Sequence, residues 1–215
     1  MQEPGRSGRL PRSARRAQLL EAAQAVFVES GYHAAAMDEI AERAKVSKPV
    51  LYQHFPGKLD LYLALIDQHT DEVINLVRAA LASTTDNPTR FAAAVAAFFE
   101  FVDRQDAAFR LVFESDLINE PAVAHQVQRI STECSAAIAE VIAEDTGLSN
   151  EQSQLLGVAL VGMSQVVARY WVQRGGSIPR DEAVSLVATL GWRGLADFPK
   201  VGEELDTVGS EVTTG

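Results

Sequence analysis

Between residues 48 and 58 the chain carries Lys48, Tyr52, Gln53, His54 and Lys58, five hydrogen-bonding side chains within eleven positions. Ammonium, phenol, amide and imidazole groups can all reach phosphate oxygens or base edges, and Gln53 has the geometry for bidentate adenine recognition. The same residue types can also clothe a solvated helix face. His54 reads as a neutral donor and not as a metal ligand, because no zinc spacing is present. Catalysis is poorly served: there is no Ser–His–Asp arrangement and no Gly-rich phosphate loop, so no catalytic residue and no cofactor is expected. Glu114, Asp116 and Glu120 can make a carboxylate site, though a solvated face explains them better. A small helical enzyme and a helical adaptor that binds protein through an acidic surface are therefore the rivals to a nucleic-acid reader.

The elements around these donors are helical. Leu19, Ala23, Val26 and Phe27 recur at three- and four-residue steps from Ser13 onward, and Gly31 is placed to stop that helix. Met37, Ile40, Ala41 and Ala44 share one face of a second, short helix. A third spans about 47–55, with Ser47 as N-cap and Pro49 in its first turn, where no helical hydrogen bond is lost. The small Ala41 admits a closely crossing partner, and Ile40, Ala44, Val46, Val50, Leu51 and Phe55 supply facing apolar surfaces. The pattern is a helix-turn-helix, whose second helix presents Lys48, Pro49, Tyr52, Gln53 and His54 to a major groove. Further helices are expected at about 58–81, 88–104, 107–116, 121–146, 150–174 and 180–197. No strand pattern competes, so the fold class is all-α. It divides into a basic arm (1–13), a DNA-binding head (14–58), a helical body (59–198) and an acidic tail (199–215).

Composition agrees with one large domain or two small ones. The 215 residues are 47% hydrophobic and 22% charged, which excludes a wholly disordered chain. A single cysteine, Cys134, cannot form an internal disulfide and suits a reducing, cytoplasmic setting. No uninterrupted apolar run reaches the roughly 18–20 residues of a membrane span. The Arg-containing N-terminus lacks the apolar core of a secretory signal. Residues 1–58 hold nine Lys/Arg against six Asp/Glu, while the rest holds ten against 23. Only the head is suited to approach a polyanion.

The run Met37-Asp-Glu-Ile-Ala-Glu-Arg-Ala-Lys-Val-Ser-Lys-Pro-Val-Leu-Tyr-Gln-His-Phe-Pro-Gly-Lys58 resembles the signature of TetR-type transcriptional regulators. Ile40-Ala41, Val46-Ser47, Leu51-Tyr52, His54-Phe55 and Lys58 match its elements, and the resemblance covers about residues 14–65. It implies a homodimer whose heads repress a promoter and whose body binds a small ligand; two-fold symmetry then calls for a palindromic operator, and the few charges among the candidate pocket walls suit a hydrophobic ligand. It also implies DNA contact by Tyr52, while Lys58 opens a helix whose N-terminal amides and dipole favour a phosphate. There are three departures from the pattern. Lys45 stands where Gly is common in the turn, at a cost of about 1 kcal/mol. Ala35 and Ala36 stand where Thr or Ser usually caps the second helix. Pro49-Val50 replaces the usual Gly-Thr.

Arg15 and Arg16 lie close enough to the head to meet phosphates, whereas Arg6, Arg9 and Arg12 are either a minor-groove arm or a loose tail. Phe98, Phe99, Phe109 and Phe113 lie in an aromatic-rich stretch that is either plain core or a ligand wall. With the resemblance, they and His125, Arg129, Gln165 and Arg169 become the expected pocket. The 150–174 helix is apolar round much of its circumference. Gly157 and Gly162, with Val184, Val187 and Leu190 of the next helix, are the expected dimer interface, the alternative being monomer core.

Overall fold

A computed structural model describes residues 10–104, 117 and 119–195. The expected 107–116 helix, Phe109, Phe113, Arg6, Arg9 and the 199–215 tail lie outside the described residues. All regular structure among the described residues is helical: α1 Arg12–Ala34, α2 Met37–Arg43, α3 Lys48–His54, α4 Lys58–Ala82, α5 Asn87–Asp103, α6 Pro121–Asp145, α7 Asn150–Gln173 and α8 Arg180–Leu195.

Local chemistry sets most of the boundaries. Gly31 takes φ 73°, which kinks α1, but one more turn follows it. The chain turns between α2 and α3 through Lys45 at φ 52°, a left-handed conformation that favours Gly. Ser47 occupies the N-cap position of α3, yet its side chain makes no capping hydrogen bond. The entry to α3 instead rests on Pro49 in its first turn. Asp86 caps α5, its carboxylate accepting from the Thr89 N–H at 3.2 Å. Ser149 and Gln152 close a reciprocal capping box at the start of α7.

The chain packs as two units. One comprises the described residues up to Thr70 and those between 117 and 127; the other comprises Asp71–Arg104 and the residues from Gln128 onward. In the first unit, α1 packs on α2 and α2 on α3. Leu19, Val26, Ile40, Ala41, Leu51, Phe55, Leu61 and Tyr62 form its buried centre. Phe27 meets Tyr62 edge-on, with ring centroids 5.1 Å apart. In the second unit, α5 lies against α7 and α8 and buries Phe91, Val95, Phe98, Phe99 and Phe101. Glycine permits two close approaches there. A Cβ on Gly191 would stand 2.5 Å from the Phe91 ring, and one on Gly157 would stand 2.4 Å from the Ser135 carbonyl oxygen of α6.

That geometry corrects part of the expected dimer interface. Gly157 is spent on packing α7 against α6 within one chain, and Val187 is buried at 5% exposure. Gly162, in contrast, has no neighbouring atom among the described residues within 4 Å of a Cβ placed there. The outward apolar residues of α7 are Leu155, Val158, Val166 and Tyr170, joined on α8 by Leu186 and Leu190. By length and mean hydropathy (1.5) α7 also meets the composition of a membrane span, and a third of that stretch is buried.

Candidate functional site

In the head, Leu51 is fully buried while Tyr52 on the next position is 47% exposed. Lys48, Pro49 and Gln53 are also exposed and His54 is half-buried, so α3 presents the expected side chains on its outer face. The turn beneath is tied down by hydrogen bonds that spacing alone does not reveal. Gln18 of α1 donates to the Ala44 carbonyl at 2.8 Å, and its own oxygen accepts from Arg15 at 2.6 Å. Arg43 forks onto Glu29 through both terminal nitrogens at 2.6 Å, linking α2 to α1.

The cations of the first helix gather beside α3. The Arg16 guanidinium stacks 4.4 Å from the Phe55 ring centroid. Partial desolvation holds the His54 imidazole below its ordinary value, and the charges of Arg12, Arg16 and Arg15 push the same way. His54 is therefore a neutral donor–acceptor at neutral pH. Lys48 pairs with Asp38 of α2 at 2.6 Å, and that hydrogen bond, above all, raises its pKa.

Lys58 departs from expectation. Its ammonium donates to the carbonyls of Tyr32, His33 and Ala35 at 2.8, 3.1 and 2.9 Å, and lies 4.6 Å from the Tyr32 ring centroid. An ammonium has three N–H groups, and all three are engaged in closing the C-terminal end of α1. In this structure Lys58 is a cap that joins α1 to α4.

In the body, the described members of the expected ligand wall are spread over different surroundings. Phe99 is fully buried and packs obliquely on Trp171, centroids 5.7 Å apart. Phe98 and Gln165 line a void of about 20 Å³. Arg129 is engaged with Asp71 at 2.8 Å and Glu133 at 3.2 Å, His125 is exposed in the other unit, and Arg169 lines neither this void nor the larger cleft. That cleft, of about 290 Å³, lies between the end of α4, the start of α5, the end of α6, α7 and α8. Leu81, Phe91, Ile142, Leu156, Leu160 and Trp192 make its apolar wall. Its polar edge holds Arg90, paired with Asp145 at 3.5 Å, and Asn87, whose buried Oδ1 has no hydrogen-bond partner among the described residues. Phe91 and Ile138 border both the cleft and the small void. Sequence periodicity could not single out this cleft, because its lining comes from five helices whose apolar residues look like ordinary core.

A helix-turn-helix with an outward donor-bearing second helix, carried by a helical body, defines a DNA-binding regulator. Residues 19–65 match the family described as bacterial regulatory proteins, tetR family. The HTH-type transcriptional activator FasR of Mycolicibacterium smegmatis is 48% identical over 194 residues, 90% of this chain and 89% of that protein. The HTH-type transcriptional repressor KstR2 of Rhodococcus jostii is 23% identical over 192 residues, 86% of this chain and 93% of its own. A crystal structure of a TetR-like transcriptional regulator from Rhodococcus sp. RHA1 superimposes with a TM-score of 0.66 at 30% identity, covering 87% of this chain and 99% of the other. The chain belongs to the TetR family of bacterial transcriptional regulators, and it is a regulator, not an enzyme.

Proposed function

We propose that the protein acts in the cytoplasm as a homodimer on a near-palindromic operator, reading it with α3 of each subunit. The observation that carries this is the division of α3: Leu51 is fully buried while Lys48, Pro49, Tyr52 and Gln53 stand in solvent on a short, braced helix. Arg15, Arg16 and His54 flank that face and supply phosphate contacts. The exposed stripe of Leu155, Val158, Val166 and Tyr170 on α7 with Leu186 and Leu190 on α8 is the seam between subunits, with the open Gly162 at its centre. Burying that stripe in a dimer also accounts for the apolarity of α7 without a membrane. Two-fold symmetry then sets the two recognition helices roughly 34–36 Å apart, or a multiple of it.

The body serves as the sensor. A largely apolar ligand seated in the cleft, its polar group on Asn87, would press on Phe91 and shift α5 against α7 and α8. Coupling of about 1–3 kcal/mol would alter operator affinity about 5–150-fold. The sign of control follows from operator position: a head bound over a promoter represses, and one bound upstream can activate. Repression is the expectation from the sequence and has a named counterpart in KstR2; FasR, more alike over nearly the whole chain, favours activation. Selection of bound duplexes from a random pool, followed by transcription from the promoter nearest the genomic match, tests the reading. A palindromic consensus bound by a dimer supports it; recovery of no sequence preference sinks it.

A further inference from the structure

The Lys48–Asp38 pair does not help α2 and α3 to pack. Lys48 is the first residue of α3 and Asp38 the second of α2, and both side chains remain more than half exposed. Exposed pairs of this kind contribute little to stability. Glu42, one turn along α2 from Asp38, and Tyr52, one turn along α3 from Lys48, act on Lys48 in the same direction. The pair therefore sits on the outer face of the head, beside Pro49 and Tyr52.

A lone lysine there would be a flexible point charge. It would take the nearest phosphate on any duplex, adding affinity without sequence information. Asp38 removes that option, since trading a carboxylate for a phosphate gains little. The pair is matched instead by a base edge that offers an acceptor beside a donor. On the major-groove edge of a G·C pair, guanine N7 and O6 accept and the neighbouring cytosine N4 amino group donates. An A·T pair also sets an acceptor, adenine N7, beside a donor, adenine N6, but it offers the ammonium one acceptor where guanine offers two, and it adds thymine O4 and the methyl group beyond the donor, so G·C satisfies the pair more fully.

We infer that Asp38 and Lys48 form one donor–acceptor reader of a G·C pair in each half-site, with Asp38 as a specificity-determining residue. Lys48 donates to guanine N7 or O6, and Asp38 accepts from cytosine N4 while holding Lys48 off the phosphates. The inference rests on α3 being the DNA-reading helix.

The test uses the full-length protein, the duplex that it enriches from a random pool, a scrambled duplex of equal length, and variants with the G·C pair changed to A·T. Asp38→Ala should lose the preference for G·C at one position, by about 5–150-fold. It should also bind scrambled duplex more tightly, with a salt slope steeper by about one, because the released Lys48 takes a phosphate. Asp38→Glu, which keeps the carboxylate, should retain the preference. Lys48→Met should lose it, and adding Asp38→Ala to that background should change scrambled binding no further. Unchanged thermal melting of Asp38→Ala separates these effects from a loosened α2. If Asp38→Ala tightens all duplexes equally with base preference intact, and does so equally with or without Lys48, Asp38 is only a repulsive charge and the inference fails. If Lys48→Met and Tyr52→Ala together leave all binding unchanged, the reading of α3 as the DNA face fails with it.

Discussion

Replacing Lys58 with Met removes a charge but little volume, and it separates a structural role from a DNA-contacting one. In the native head the Lys58 ammonium closes three carbonyls at the end of α1, at 2.8, 3.1 and 2.9 Å. Hydrogen bonds from a charged donor contribute about 1.5–3 kcal/mol each at most. One of the three is exposed and all can be partly replaced by water, so the joint loss should be about 2–3 kcal/mol and not the full sum. For a protein of this size each kcal/mol shifts the melting temperature by about 2–4 °C, so Lys58→Met should melt roughly 4–12 °C lower. Lys58→Arg should recover only part of this, because a planar guanidinium cannot converge on three carbonyls as an ammonium does. Thermal melting by circular dichroism measures the first effect, and duplex titration at several salt concentrations measures the second. The salt slope of Lys58→Met should equal that of the wild type. An unchanged melting temperature together with a slope shallower by about one would restore the phosphate contact and refute the cap.

Two glycines of α7 should behave oppositely. Gly157→Ala drives a Cβ into the Ser135 carbonyl and should cost about 1–3 kcal/mol in chemical denaturation. Gly162→Arg places its Cβ where no described residue lies within 4 Å, so it should keep a folded chain that light scattering finds monomeric at concentrations where wild type is dimeric; an undiminished dimer would displace the seam. Leu156→Trp should fill the cleft and lower binding of the apolar dye ANS while scrambled-duplex affinity stays near wild type, and unaltered dye binding would place the ligand elsewhere. Burial pushes the Cys134 thiol up to about 12, so iodoacetamide at mildly alkaline pH should label it only after unfolding, as read by mass spectrometry. In proton NMR the His54 ring should titrate below 6.5 in the free protein; a value at or above it would contradict its desolvated, cation-flanked setting. Since the fold disfavours protonated His54 and a phosphate favours it, binding scrambled duplex should take up protons as pH falls towards that range.

Much of the head was legible in residue order, because its organisation is local. The 3.6-residue period, Ala41 at the crossing, Pro49 in the first turn and the left-handed Lys45 are properties of neighbours along the chain. They define α3 to within a residue and indicate which side of it faces out. Side chains that join distant positions were not legible. Gln18 reaches Ala44 across 26 positions and Lys58 reaches Tyr32 across another 26, and in sequence each looks like an ordinary surface residue. Lys58 shows the difference most clearly: its position in the motif suggests phosphate, while the carbonyls that claim its three protons are set by how α4 meets the end of α1. The body repeats the lesson with apolar residues. Periodicity finds Phe98, Phe99 and Val187 but cannot distinguish core, cavity wall and outer seam, since one apolar face serves all three. That choice belongs to packing, in which Gly157 admits the α6 backbone, Gly191 admits Phe91, and Leu155 and Leu190 are left outside at 71% and 65% exposure.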